Sequence, residues 1–313
     1  MVSETKKRDF TLKKIKIGTR GSPLALAQAF EVKKKIISSS NLLEDSIEVI
    51  TIDTKGDKIQ DRPLTEIGGK GLFTEEIESK LLNKEIDLAV HSMKDMPTIF
   101  PEGLAIKVFL KREDFRDSFV SLNYKAIGDL PKGAVVGSSS LRRRAQLLHK
   151  RPDIKVVEFR GNVQTRLKKL EDGVADATFL ASAGLLRLGM KQLVNPISPD
   201  IMMPAVAQGV IGVQQRNDDK QMASILAPLN DEDTEVQVLV ERAFLDILDG
   251  SCRTPIGAYC RLEGGSIFFK GEVLRVDGSE VVSGSWKGSL SDPVELGQRA
   301  GKDLKEKIGD SFF

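Results

Sequence analysis

Apolar and polar positions along the first two-thirds of the chain alternate between two periods. Short apolar runs at Lys14–Thr19, Ile47–Ile52 and Leu88–His91 read as strands, and Leu24–Ile37 and Thr74–Leu82 between them carry apolar residues at helical spacing. Ser22 and Pro23 supply an N-cap and a first-turn proline for the first helix, and Thr74 stands as N-cap of the second. The alternation restarts after the charged stretch Lys111–Asp117. Strands are predicted at Val135–Gly137, Lys155–Phe159 and Ala177–Leu180, with helices at Leu141–Lys150, Val163–Leu170 and from Gly184 to Leu188. Ser138–Ser140 are placed to cap the Leu141 helix. This βαβ rhythm predicts two α/β domains with mostly parallel sheets. Pro196, Pro199 and Pro204 then mark an extended crossover into the small-residue stretch Ala205–Gly212.

The last third changes character. Thr234–Leu248 predicts an amphipathic helix with Val236, Leu239, Val240, Ala243, Phe244, Ile247 and Leu248 on its apolar face. After a loop at Gly250–Pro255, strands are predicted at Ile256–Leu262, Ile267–Val273 and Val281–Lys287. Gly264–Gly265 and Asp277–Gly278 are the turn signals between them, and Pro293 opens a final helix to about Ile308. The fold class is therefore α/β, two α/β domains followed by a small α+β module.

Composition narrows the function. The chain has 313 residues, 47 Lys+Arg against 45 Asp+Glu, and a net charge of +2, so it lacks the field of a dedicated nucleic-acid binder. Aromatics at 5% argue against a base-stacking surface. No apolar run reaches the ~18 residues of a membrane span, and the polar start does not read as a signal peptide. Two cysteines (Cys252 and Cys260) and two histidines (His91 and His149) are too few for a disulfide framework or a zinc cluster. A reduced, cytoplasm-like compartment and no metal are expected.

The candidate chemistry gathers at strand ends, where ligands of open α/β sheets sit and helix N-termini aim free N–H groups. Arg20 ends one strand, and Ser138-Ser139-Ser140 precede Arg142, Arg143 and Arg144. Arg160 ends another strand at Arg160-Gly161-Asn162, with Arg166 one turn into the following helix. Guanidinium forks and serine hydroxyls at such positions suit carboxylates or phosphates, so a small polyanion is the expected ligand. Lys94 and Asp95 stand at a further strand end, facing opposite ways if the backbone is extended, and Asp95 is the candidate catalytic carboxylate. Gly68-Gly69-Lys70-Gly71 fails the P-loop pattern because Gly71 follows Lys70, and it reads as a flexible lid or a tight turn. Cys252 sits in a small-residue loop beside Arg253, which can activate a thiol, and Cys260 reads as an inert core thiol.

Seven segments carry a resemblance: Gly18–Ala25, Gly68–Phe73, His91–Asp95, Gly137–Arg143, Arg160–Arg166, Pro204–Gly209 and Gly250–Gly257. In this order they resemble the porphobilinogen deaminase (hydroxymethylbilane synthase) family, with Gly21 and Ser138 where several relatives have Gln and Thr. The resemblance implies two periplasmic-binding-protein-like α/β domains and a cofactor-attachment domain. They would comprise residues 1–110 with 211–228, residues 116–204, and residues 232–313, with hinges near 111–115 and 205–210. It implies a dipyrromethane cofactor joined to Cys252 by a thioether, with Lys94, Ser140, Arg142 and Arg143 holding its carboxylates. Substrate and chain carboxylates would fall to Arg20, Arg160, Arg166 and Arg187, with Ser22 assisting and Phe73 closing the lid. The implied activity joins four porphobilinogen molecules head to tail with loss of ammonia, then hydrolyses the product off as hydroxymethylbilane. Loss of ammonia leaves a methylene-pyrrolenine cation, which Asp95 would stabilise. The family also implies a monomer in the cytoplasm, with a processed plastid form less favoured, and no metal, nucleic-acid or membrane partner. The rival readings are a non-enzymatic anion-binding protein of periplasmic-binding-protein type and, further off, an RNA-binding module using Arg142–Arg144.

Overall fold

A computed structural model of the chain describes residues 14–58, 74–248, 250, 254–309 and 312. Three sheets organise them. Strand β1 (Ile15–Arg20) leads into α1 (Pro23–Ser39), and β2 (Ile47–Ile52) into the single turn α2 (Lys55–Lys58). Helix α3 (Glu75–Leu82), β3 (Leu88–Ser92) and β4 (Leu104–Phe109) follow. Next come β5 (Asp117–Ser121), β6 (Val135–Gly137), α4 (Leu141–Lys150), β7 (Lys155–Val157), α5 (Val163–Glu171), β8 (Ala177–Ala181) and α6 (Ser182–Arg187). The chain then returns as β9 (Ile211–Arg216) and α7 (Lys220–Leu226) before α8 (Glu232–Ile247). Strands β10 (Ile256–Glu263), β11 (Ser266–Leu274) and β12 (Val281–Ser289) and helix α9 (Pro293–Ile308) close it.

The first sheet has the order β2-β1-β3-β9-β4 and the second β5-β8-β6-β7. In both, three successive strands run parallel and one neighbour, β9 or β5, runs antiparallel. Those two are the strands through which the chain re-enters and leaves: β5 begins the second sheet directly after the chain exits β4, and β9 returns to the first sheet after β8. The lobes are thus joined by two crossing segments, 110–116 and 188–210. The mostly parallel expectation holds, but β4, β5 and β9 were not anticipated. Val213–Gln215 break the small-residue pattern, and β5 begins on the buried Asp117, which reads as loop in sequence.

Apolar burial fills each layer. Ile17, Val32, Leu88 and Val213 pack one face of the first sheet, and Val136, Phe179 and Leu147 lie under the second. The antiparallel β10-β11-β12 sheet is covered by α8 and α9, and its core takes in Met93, Met96, Phe109, Val206 and Ala207 from the first lobe and the return crossing. The third module is therefore seated on the first lobe and on the crossing itself.

Two expectations are corrected. The buried surface of α8 is wider than expected: Val240, Phe244 and Leu248 are buried as the pattern predicts, and Ala243 and Ile247 lie against Gly297 and Gly301 of α9, but Thr234, Val238 and Glu241 are buried as well. The helix turns toward the crossings because Glu241 has charged and N–H partners there, which a purely apolar pattern cannot register. Thr74 precedes α3 but does not cap it: its backbone (φ −127°, ψ −28°) is not extended, and its buried hydroxyl has no hydrogen-bond partner among the described residues.

Candidate active site

The turn after β3 is built first. Met93–Asp95 forms one 3₁₀ turn, so the extended backbone expected for Lys94 and Asp95 is not present. Met93 and Met96 are buried in the core shared with the third module and hold the turn from both sides. Asp95 is exposed, and its carboxylate makes no hydrogen bond among the described residues. Lys94 points toward the crossing, with Nζ donating to Gln208 Oε1 at 3.3 Å. Burial pushes the Lys94 ammonium down to about 8 against the pull of Asp95, with Arg143 and Arg142 adding to the depression and Asp117 resisting it.

The second lobe supplies most of the cations. Ser140 caps α4, its Oγ accepting from the Arg143 backbone N–H at 3.4 Å. Arg142 and Arg143, the second and third residues of that helix, turn inward and are only 5% and 7% exposed. Both meet Asp117. Arg142 Nη1 donates to Oδ2 at 2.8 Å, while Arg143 Nε and Nη2 donate to Oδ1 at 3.1 and 2.7 Å. Arg142 Nη1 also reaches Met203 O at 2.6 Å, and Arg143 Nη1 reaches Phe179 O at 2.8 Å. Burial alone would raise the Asp117 carboxyl, but the two guanidiniums hold it far below the usual carboxylate range. Arg142 keeps Nε and Nη2 without a hydrogen bond among the described residues.

Arg160 and Arg166 flank the loop before α5. Asn162 caps that helix through Thr165 N–H at 2.8 Å, and Gly161, at φ +118°, permits the reversal. Arg166 Nε donates back to Gly161 O at 2.9 Å. Burial lowers Arg166 to about 10, with the positive charges of Arg143 and Arg160 contributing. Electrostatic influence thus links Lys94, Arg142, Arg143, Arg160 and Arg166 into one cationic region.

Arg20, Ser22 and Arg187 are bound differently. Arg20 forms an ion pair with Asp57 on α2, whose carboxyl is lowered by Arg20 and Thr54 despite partial burial. Its charge reaches His91, which burial depresses to about 4 while its Nε2 pairs with Gln214 at 3.0 Å. Ser22 Oγ caps α1 at Ala25 N–H, 3.3 Å away. Arg187 ties the lobes together, donating to Glu31 of α1 and to Gly209 O, each at 3.1 Å. Cys252, Arg253, Phe73 and the 68–71 glycine loop lie outside the described residues.

Sequence reasoning missed Asp117, Gln208 and the pair Arg112–Glu241. Asp117 was hidden among the charges of 111–117; Gln208 was the one polar side chain in a run of small and apolar residues, which was the available signal. No cluster of three or more His, Cys, Asp or Glu able to hold a metal occurs among the described residues. No described helix is long and apolar enough to cross a membrane. The Cys260 thiol is pushed well up by burial and by Glu241, in keeping with an inert core position.

Comparison with known proteins adds a family. A family model described as "Porphobilinogen deaminase, dipyromethane cofactor binding domain" matches residues 15–224, and one described as "Porphobilinogen deaminase, C-terminal domain" matches residues 236–306. The porphobilinogen deaminase of Paracoccus denitrificans (strain Pd 1222) is 57% identical over 300 residues, spanning 96% of each chain. The chloroplastic porphobilinogen deaminase of Oryza sativa subsp. japonica is 52% identical over 305 residues, spanning 96% of this chain and 85% of its own. Among solved structures, the periplasmic aliphatic sulphonate binding protein from Escherichia coli aligns at 15% identity over 75% of this chain and 70% of its own, with a TM-score of 0.39. That score is too low to carry weight, and the fold rests on the sheet topology above.

Proposed function

The chain belongs to the porphobilinogen deaminase family, and from that premise we propose how its own residues divide the work. The activity is that of a transferase, hydroxymethylbilane synthase, which links four porphobilinogen molecules and releases ammonia at each addition. Every pyrrole ring carries an acetate and a propionate, so substrate and chain are polyanions. The observation that carries the assignment of residues is the cationic region formed by Lys94, Arg142, Arg143, Arg160 and Arg166, with the exposed carboxylate of Asp95 adjacent to Lys94.

A dipyrromethane group suits this donor set. The open Nε and Nη2 edge of Arg142 is a fork for a carboxylate, Lys94 adds a point charge, and the first turn of α4 behind Ser140 directs N–H groups outward. When bound, that cofactor supplies the pyrrole α-carbon from which the chain grows. We assign its carboxylates to Lys94, Ser140, Arg142 and Arg143 and its attachment to Cys252 through a thioether. Arg20, Ser22, Arg160, Arg166 and Arg187 serve substrate and chain carboxylates, and Phe73 covers the rings.

Asp95 has the catalytic role. Departure of ammonia from porphobilinogen needs a proton on the amine and leaves a cation spread over the pyrrole nitrogen; a fixed carboxylate stabilises that charge where it develops and takes the α-proton afterwards. The segments 111–115 and 205–210 within the crossings act as the hinges. Incubating the purified protein with porphobilinogen and measuring ammonia and hydroxymethylbilane tests the reading, and intact mass of wild type against Cys252→Ala tests the tether. Porphobilinogen bound without ammonia release would instead favour an anion-binding protein.

A further inference from the structure

Gln208 occupies a position that the assignment above does not use. It is fully buried in the return crossing, between Ala207 at φ +56° and Gly209 at φ +92°. A Cβ at Gly209 would stand 2.5 Å from Glu113 O, so the return crossing lies directly against the outgoing one. Left-handed backbone on either side of it, once on a non-glycine residue, aims the Gln208 side chain between the lobes.

Every polar atom of that side chain is used, and each partner accepts only one orientation. Oε1 takes a hydrogen bond from Lys94 Nζ in the first lobe (3.3 Å), and lysine can only donate. Nε2 donates to Asp117 Oδ1 (3.0 Å) and Phe115 O (2.9 Å), which can only accept. Flipping the amide would set donor against donor and acceptor against acceptor. The Gln208 carbonyl also receives Arg112 Nε at 2.9 Å, fixing the backbone that carries it. A carboxylate here would face Asp117, an ammonium would face Lys94, and an apolar side chain would leave both ends unmet. Only a neutral group that donates at one end and accepts at the other satisfies the site.

We propose that Gln208 is a positioning residue, a relay that sets the Lys94 ammonium of the first lobe at a fixed place relative to the Asp117–Arg142–Arg143 cluster of the second. The proposal rests on the reading that Lys94, Arg142 and Arg143 receive carboxylates of the pyrrole chain. Those carboxylates are spaced by the rings that carry them, so the cations must be spaced to match. Two lobes joined by hinges provide that spacing only if something crosses between them, and Gln208 does so with a side chain that bears no charge of its own. It touches no substrate and acts through Lys94.

The test is a double-mutant cycle on the full-length holoenzyme, with Gln208→Met, Lys94→Met and both together, reading kcat/KM for ammonia release from porphobilinogen. Met is close to isosteric and removes both ends of the relay. The expected loss for Gln208→Met is on the order of tenfold or more, the scale of a hydrogen bond to a charged group. In the Lys94→Met background the same substitution should cost less than twofold, because the group it positions is already gone. Near-ultraviolet and far-ultraviolet circular dichroism of each variant should match wild type. An equal loss in both backgrounds, wild-type activity for Gln208→Met, or loss of the native spectrum would each overturn the relay. Failure of the wild-type protein to release ammonia would instead overturn the reading of function on which it rests.

Discussion

Replacing Glu241 by Gln tests what holds the two crossings to the third module. The Glu241 side chain is fully buried on α8 and makes four hydrogen bonds. Oε1 accepts from Arg112 Nη1 at 2.6 Å and from Cys260 N–H at 2.8 Å; Oε2 accepts from Arg112 Nη2 at 3.1 Å and from Ala207 N–H at 2.6 Å. One carboxylate therefore joins the outgoing crossing, the return crossing and β10. Gln keeps the shape, but removes the charge that compensates Arg112 and turns an NH₂ toward donors. Breaking a buried pair from one side costs about 3–5 kcal/mol, because the remaining charge stays buried without compensation. Unfolding entropy of ~2.1 cal/mol/K per residue over 313 residues gives roughly 0.66 kcal/mol/K, so the midpoint should fall by about 5–8 °C. Thermal melts followed by circular dichroism measure it. The double variant Arg112→Met/Glu241→Met removes both charges, and should recover a substantial part of the loss. A fall of less than about 2 °C for Glu241→Gln, or a double variant less stable than the single one, would refute the view that this pair pins the crossings to the third module.

Other outcomes follow from the same geometry. Asp95→Asn should preserve the fold and lower kcat by about 10²–10⁴-fold, read as ammonia released per minute, because only proton transfer and cation stabilisation are lost. Burial raises Glu272 to about 7 against Arg142, Lys150 and His149, and its buried Oε1 lacks a partner among the described residues. A raised carboxyl pKa means that the folded state holds its proton longer than the unfolded one. Stability from this group is therefore present below about pH 4.5, and is lost as pH rises to about 7. Denaturant titrations should accordingly show Glu272→Gln gaining up to about 3 kcal/mol over wild type at pH 8 and little at pH 4.5. Thiol reagents should leave Cys260 unmodified in the native protein and label it only on unfolding, as peptide mapping would report.

How far the fold was readable depends on whether a segment's pattern was set by its own sheet or by its neighbours. Strand β6 and helix α4 fall where apolar period and capping serines place them, at Val135–Gly137 and Leu141–Lys150, because their apolar faces are set by their own lobe, even though α4 also meets the third module at His149 and Gly278. Strands β5 and β9 were not legible because each serves as an antiparallel addition supplied from across a crossing, a relation between distant parts of the chain. The arginines at strand ends were legible as cations near a ligand, since topology fixes what strand ends and helix N-termini face. Their acid partners were not. Asp117 is 25 residues from Arg142 and 91 from Gln208, and no local spacing announces such a meeting. The burial of Glu241 on α8 was missed for the same reason: its partners are N–H groups and a guanidinium on other segments.

Those acid partners explain how cations can wait at a site without scattering. Arg20 is met by Asp57, Arg187 by Glu31, and Arg142 and Arg143 together by Asp117. Lone arginines in a dry cleft would repel one another and lose their preferred rotamers, whereas a carboxylate partner fixes each fork, and at Arg142 it leaves Nε and Nη2 without a hydrogen bond among the described residues. The ratio matters as much as the pairing. Two guanidiniums share one carboxylate at Asp117, and Lys94 lies within reach of all three charges, so the region stays net positive after the internal pairing is counted. The Asp117 carboxyl is also held far below the usual carboxylate range, so it stays charged and does not release its partners as conditions change. On the function proposed above, a carboxylate ligand at Nε and Nη2 of Arg142 would add to the Asp117 contact instead of competing with it. Such groups would then meet cations whose spacing the internal ion pairs already hold.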